Sequence, residues 1–257
     1  MLYGFLRYGS GNTMQSKDSF IQFVFSHKRP SILIVFAVLV LAGCRYPVNI
    51  ERPMADMHGG ELNIGLSENP PWVINTDQGP AGLEVEIVRA LAEKMNATIN
   101  WHWGSEGNLL AALSQYQLDL VIGGLTQDSN VSALAAPTKA YYQSHYSVGV
   151  PEGISLPSNL EGVEVAVPVI NHIAHALKKE GAIPRPTPDL GTHNEAVTNP
   201  SWWLHAHNYQ IGDWEIATDH HVMALPKGEN AWMLAVQRHL NSYPDIEQRL
   251  QHLEAGR

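Results

Sequence analysis

The chain has 257 residues, enough for one large domain or two small ones with a sizeable core. Hydrophobic residues make up 44% and charged residues 16%, a globular composition that argues against a disordered chain. The formal net charge is -9 and no block of Lys and Arg follows residue 45, which argues against a nucleic-acid partner.

Near the N-terminus, His27, Lys28 and Arg29 form a basic patch, and Ile32 to Leu41 follow without a charged or polar side chain. That run is too short to span a bilayer comfortably as a helix and fits a signal-peptide core. It ends in Leu41-Ala42-Gly43-Cys44, which resembles the lipobox of bacterial lipoproteins. The resemblance implies that Cys44 is lipidated, becomes the first mature residue and holds the protein to a membrane. The competing reading is an uncleaved anchor with Cys44 incidental. Cys44 is the only cysteine, so a disulfide within the chain is impossible and a zinc-thiolate site is close to excluded. Residues 1–43 are read as a signal peptide with an N-terminal extension, Met14 being an alternative start. Residues 44–60, with Pro47, Pro53 and Gly59-Gly60, are read as a lipidated tether.

Leu62 to Leu66 reads as a short strand, broken by Glu68-Asn69-Pro70-Pro71, and Asp77-Gln78-Gly79-Pro80 as a turn. Leu83, Ile87, Ala90, Leu91 and Met95 recur at three- and four-residue spacing and predict an amphipathic helix, with Glu84, Glu86, Arg89, Glu93 and Lys94 mostly off its apolar face. A strand over Thr98 to Trp103, a helix over Leu109 to Tyr116 and a strand over Leu118 to Ile122 ending at Gly123-Gly124 complete a β-α-β-α-β order. Such an order implies a parallel sheet with right-handed crossovers. Tyr141 to Val150 is extended, Val163 to Val167 is a strand, and Asn171 to Lys179 is a helix stopped at Gly181. Ala182 to Leu190 contains three prolines and is extended or looped. Ala196-Val197 is a short strand, Ser201 to Asn208 a short helix, and His221 to Leu225 a strand turning at Pro226-Lys227-Gly228. Helices follow from Asn230 to Ser242 and after Pro244.

Five stretches fall in a telling order. They are Leu62-Asn63-Ile64-Gly65 with Pro70-Pro71-Trp72; Gly82-Leu83-Glu84-Val85-Glu86-Ile87; Leu109 to Leu113 with Leu118 to Thr126; Tyr141-Tyr142; and Leu160 to Val167. Together they resemble family 3 of the bacterial extracellular solute-binding proteins, the polar amino-acid type, over residues 60 to 257. The resemblance implies an α/β, two-lobed periplasmic-binding-protein-like fold of type II, each lobe a mostly parallel sheet flanked by helices, with a ligand cleft between. Lobe 1 is expected over 60–146 plus 223–257, and a shortened lobe 2 over 147–222. The implied activity is reversible binding of a small polar solute on the periplasmic side of a bacterial membrane, for delivery to an ABC permease. The protein is expected to act as a monomer with no cofactor. Arg45, after Cys44, is not the Asp linked in enteric bacteria to inner-membrane retention, so inner and outer membrane both stay open.

The family's usual clamp for an α-amino acid is an arginine for the carboxylate and an acid for the ammonium. The gapless spacing from Thr126 to Tyr141-Tyr142 puts Val131 at the arginine's place, and Asn199 or Pro200 stands where the acid is expected. Asn69 replaces the aromatic before Pro-Pro, and the Gly-Ser/Thr pair opening the second-lobe helix is replaced near Pro168 to Asn171. A buried charge without a partner costs several kcal/mol, so standard amino acids are expected to bind weakly. The expected ligand contacts are Asn69, Trp72, Glu106, Gly124, Thr126, Asn171, Asn199 and Trp202. If a standard amino acid did bind, Arg185 or Lys139 would face its carboxylate and Glu106 or Glu68 its ammonium.

Nine of the 13 histidines lie from His172 onward. The pairs His172 and His175, His205 and His207, and His220 and His221 are weak metal candidates, since none has a known zinc spacing. Some family relatives carry a lytic transglycosylase domain after the binding domain, whereas this chain ends about where the binding domain does. Glu106 and Asp119 are the one carboxylate pair to weigh, and no Gly-x-Ser-x-Gly, Walker loop or Cys nucleophile occurs, so no enzyme is expected. Two other readings compete with transport: a lipoprotein using the fold as a sensor or interaction module, and a His-rich metal-binding protein.

Overall fold

Leu62, Ile64 and Leu66 are fully buried, and their strand, β1 (Glu61–Leu66), runs between two parallel neighbours as a strand covered on both faces should. The computed structural model describes residues 59–169, 171–188, 190 and 195–257; the expected signal peptide, Cys44 and nearly all of the tether lie outside them. After β1 come the hairpin β2 (Ile74–Thr76) and β3 (Gly79–Ala81), α1 (Leu83–Lys94), β4 (Thr98–Trp103), α2 (Glu106–Ser114), β5 (Leu120–Ile122), α3 (Val131–Leu134) and β6 (Ala136–Pro137). Then follow β7 (Tyr142–Pro151), β8 (Glu164–Val167), α4 (Asn171–Lys179), β9 (Ile183–Pro186), β10 (Ala196–Pro200) and α5 (Ser201–Ala206). The described chain closes with β11 (Tyr209–Ile211), β12 (Ala217–His221), β13 (Ala224–Leu225), α6 (Asn230–Asn241) and α7 (Ile246–Ala255).

The elements make a two-lobed α/β fold of the type II periplasmic-binding-protein kind, one sheet per lobe. The first sheet has the order β4-β1-β5-β13-β6, with β4 and β5 parallel to β1 and β13 antiparallel to β5 and β6. The second has the order β11-β7-β10-β8-β9, with β12 also on β7. Here β8 is parallel to β9 and β10, while β7 is antiparallel to β10, β11 and β12. β9 ends the row, an edge place that tolerates Pro184 and Pro186, which have no N–H to give a ladder.

The strand expected over His221 to Leu225 is instead two. β12 ends at His221 in the second sheet, Val222 and Met223 cross over, and β13 begins at Ala224 in the first. The outward crossing runs beside it: Thr138 N–H donates to the Met223 carbonyl (2.9 Å), and Tyr141 N–H to the His221 carbonyl (3.0 Å). The turn expected over Asp77 to Pro80 is the tip of a hairpin, with Gly79 and Pro80 already in β3.

α1 lays Leu83, Ile87 and Leu91 on one face of the first sheet, joined by Trp232, Val236 and Leu240 of α6 and Leu250 of α7. α2 covers the other face with Leu109, Leu110 and Leu113. In the second lobe Val148, Val165 and Val167 pack with Ile173 and Leu177 of α4. Trp202, on α5 after the second sheet's β10, is buried in the first lobe's core, and α5 packs on α7, so the lobes share apolar contact. Among the described residues no helix is long and apolar enough to cross a membrane.

Candidate functional site

β1 and β5 both stop where the lobes meet, and their following loops form one wall of a cleft of about 480 Å³. In the loop after β1, Asn69 and Val73 exchange backbone hydrogen bonds around Pro70-Pro71, and the Asn69 amide donates to the Gly123 carbonyl (2.9 Å). In the loop after β5, the Gly123 and Gly124 N–H groups donate to Glu84 Oε2 at 2.7 and 2.8 Å, and the Tyr141 hydroxyl donates to Glu84 Oε1 at 2.6 Å. Glu84 is fully buried. Burial pushes its carboxyl above the ordinary value, and these three bonds partly oppose the shift. Gly124 sits at φ +66°, and a Cβ there would lie 2.6 Å from both Asn69 Nδ2 and Trp72 Cδ1. Only glycine lets Trp72 seat against this loop.

Trp72 lies at 4% exposure among Tyr141, Tyr142, Trp202 and His221. His221 Nε2 is 2.8 Å from Ser144 Oγ, while Nδ1 is buried without a hydrogen-bond partner. Burial lowers the imidazole from its ordinary value to about 4; the Gly124 backbone opposes this without a bond of normal geometry, and His220 adds to it. Near pH 7 His221 is therefore neutral.

The opposite wall is Tyr146 of β7, Asn199 and Pro200 of β10, Trp202 and Trp203 of α5, and Asp219 of β12. The Tyr146 hydroxyl donates to Asp219 Oδ2 (3.0 Å), and His172 Nε2 is 3.4 Å from Asp219 Oδ1. At the rim Glu254 and Arg257 enter from the end of α7 and the residues beyond it. Arg257 donates to Glu254 Oε2 (2.7 Å), and His207 Nε2 lies 3.1 Å from Glu254 Oε1.

Asn69, Trp72, Glu106, Gly124, Thr126, Asn199 and Trp202 all line this cleft. Asn171 opens α4, but its side chain lies outside the described residues. Val131, at the place expected for an arginine, is 1% exposed and packs with Leu109, Leu113 and Leu125 in the core. Of the alternative charges, Arg185 is paired with Glu195, and Arg185, Lys139 and Glu68 are all away from the described cleft wall. The carboxylate pair does not form as a site. Asp119 Oδ2 accepts the Asn63 N–H (2.8 Å) and so ties β5 to β1, whereas Glu106 is on the cleft.

The paired histidines have other neighbours in the structure. His172 meets Asp219, His207 meets Glu254 and stacks on Trp203, His221 stacks on Trp72, and His175 and His205 are exposed. Among the described residues no three His, Cys, Asp or Glu side chains group to hold a metal ion. Sequence reasoning missed Tyr146, Ser129, Trp203, Asp219, Glu254 and Arg257 on the cleft wall. The alternation Tyr142, Ser144, Tyr146 on one strand face and the three-residue step from Glu254 to Arg257 were the available signals.

Two α/β lobes with a solute-sized cleft between them define the class of periplasmic binding proteins. The chain belongs to the bacterial extracellular solute-binding proteins, family 3, which it matches over residues 62–249. Its fold is similar to the unliganded, open L-cystine solute receptor of Neisseria gonorrhoeae (TM-score 0.62, 17% identity, 74% of this chain and 89% of that one). It is equally similar to an ancestral cationic amino acid solute-binding protein (TM-score 0.62, 16% identity, 77% and 96%). The GluR0 ligand-binding core in complex with L-glutamate is a third likeness (TM-score 0.54, 18% identity, 75% and 96%). At these identities the likeness is one of fold. In sequence the chain is 26% identical over 139 residues to membrane-bound lytic murein transglycosylase F of Vibrio parahaemolyticus, covering 53% of this chain and 26% of that protein. The same enzyme of Shewanella loihica is 25% identical over 147 residues, covering 56% and 30%. The chain thus spans less than a third of the length of these curated relatives.

Proposed function

We propose that this protein binds a small polar solute between its lobes, reversibly and as a monomer, and delivers it to an ABC-type permease from a lipid anchor at Cys44. It performs no chemistry on the solute. The observation that carries this reading is the convergence of Asn69, Trp72, Gly124, Thr126, Asn199 and Trp202 from both lobes onto one cleft. The solute is not a standard α-amino acid held by the usual charge clamp, because Val131 is a core residue and Asn199 is neutral. A thermal-shift screen of amino acids, amines, small peptides and metals tests the activity, since a ligand bound only by the folded state raises the melting temperature by mass action. No shift with any compound, with no closure in small-angle scattering, would overturn it. Anchoring has its own test: Cys44→Ser is expected to release the protein from membranes or leave an unprocessed precursor, and unchanged processing and retention would refute lipidation.

A second reading is favoured by the matches to membrane-bound lytic murein transglycosylase F, in which the similar stretch is a minor part of a longer enzyme. In that reading the domain is a sensor or interaction module rather than a carrier. Solute binding without any effect of gene deletion on uptake would support it.

A further inference from the structure

The described residues lining the cleft carry three carboxylates, Glu106, Asp219 and Glu254, against one guanidinium, Arg257. Arg257 and Glu254 neutralise each other at 2.7 Å, which leaves Glu106 and Asp219 as the net charge of the cavity. Glu106 is half-buried at the start of α2 and makes no hydrogen bond or ion pair with the described residues. Asp219 is 13% exposed, and the Tyr146 hydroxyl holds it in place.

The groups that would receive a carboxylate are already engaged. The Gly124 N–H donates to Glu84, the Thr126 N–H donates to Ser129 Oγ (3.2 Å), and Val131 is buried in the core. An anion entering here would meet the carboxylates of Glu106 and Asp219, the latter 3.4 Å from His172 Nε2, and a guanidinium already bound. A cation would meet the opposite: carboxylates, and the aromatic side chains of Trp72, Trp202, Trp203 and Tyr146 on both walls. Aromatic faces attract cations through the ring quadrupole. His221, 5% exposed and also lining the cleft, is neutral near pH 7 and adds no positive charge to repel a cation.

We infer that the solute is a small organic cation, an amine or quaternary ammonium without a carboxylate head group, held by Glu106 and Asp219 between aromatic walls. This rests on the solute-binding reading above and names the class of its ligand.

Calorimetry on the purified full chain with putrescine, choline, L-arginine and L-glutamate tests it. Putrescine or choline is expected to bind, more weakly at high salt, and L-glutamate not at all. Glu106→Gln, which removes one charge and keeps the shape, is expected to weaken amine binding by about tenfold or more, as loss of a charge-assisted contact does. Trp72→Phe is expected to weaken choline less than Glu106→Gln does, since an aromatic face remains. Tighter binding of L-glutamate or L-arginine than of either amine, or amine binding indifferent to Glu106→Gln, overturns the cation assignment and leaves solute binding standing. Binding only of an uncharged solute in the wider screen does the same. No binding of any solute overturns both.

Discussion

Trp72 stacks on His221 with ring centroids 4.0 Å apart and planes inclined by 29°. The pair joins the loop after β1 to the last residue of β12, where the chain is about to return to the first lobe. Stacking buries the imidazole and lowers it from 6.5 to about 4, so between those values the unfolded chain binds a proton that the folded one does not. The contribution of His221 to stability is therefore complete above about pH 6.5 and is lost as pH falls toward 4, amounting at most to about 3 kcal/mol. His221→Phe keeps a ring in the stack and is expected to remove that part of the pH slope. Urea midpoints at pH 4.5, 5.5 and 7 read it. An unchanged slope in the variant would refute the assignment.

Glu84 works in the opposite sense. Its folded value is raised, so its favourable proton uptake is present below the ordinary carboxyl value and is lost as pH rises through the folded one. Glu84→Gln can keep the geometry, with the amide oxygen accepting from Gly123 and Gly124 and the NH₂ donating to the Tyr141 oxygen. It is expected to change stability at pH 7 by about 1 kcal/mol or less. Glu84→Ala strands two backbone donors and a phenol and is expected to cost about 3 kcal/mol or more. Equal losses in the two variants would mean that charge, not hydrogen bonding, holds the loop.

Much of this was legible in the sequence. The 3.6-residue period placed α1, and the bounds read for the helix over Asn171 to Lys179, stopped at Gly181, are those observed. The loops after β1 and β5 were legible as cleft through the resemblance to the family, whose ligand positions fall on Asn69, Trp72, Gly124 and Thr126. Glu84 was not. On a helical wheel it is one more charged residue beside Glu86, Arg89 and Glu93, and only the amides of a loop 39 residues away make it a buried one. The run from His221 to Leu225 could not reveal a change of sheet, because a short extended segment reads alike whichever partner it has. The approach of α7 to α5 is a tertiary contact between helices that carry no local mark of it.

Gly124 and Gly162 have nearly the same backbone, φ +66° and φ +69°, in opposite surroundings. A Cβ on Gly162 meets nothing within 4 Å, whereas one on Gly124 meets Trp72 and Asn69 at 2.6 Å. Gly162→Ala is expected to show the left-handed backbone penalty alone, about 1–2 kcal/mol. Gly124→Ala is expected to exceed it and to abolish solute binding by displacing Trp72. Chemical denaturation and the binding assay on both variants read the difference, and equal stability losses would show that Trp72 moves aside freely.

His207, one residue beyond α5, meets Glu254 of α7, which also holds Arg257, and Trp203 stacks on His207 at 4.0 Å. Beside this cluster Trp202 lies edge-on to Trp72 with centroids 6.5 Å apart, at 6% exposure. Hinge opening that parts α5 from α7 must break both sets of contacts. Their weights differ. Glu254 is buried at 8%, but its partners are 40% and 46% exposed, so water and salt screen the pairs, and Glu254→Gln is expected to shift the open–closed balance by about 1 kcal/mol or less. Trp202→Ala removes a buried indole from the contact between the lobes, and a change of about 3 kcal/mol or more is expected, shared between opening and stability. Small-angle scattering without solute should show a wider particle for Trp202→Ala and a near-native one for Glu254→Gln, with the smaller effect vanishing at high salt. A profile as wide for Glu254→Gln as for Trp202→Ala would mean that the charged cluster, not the tryptophan contact, keeps the lobes together.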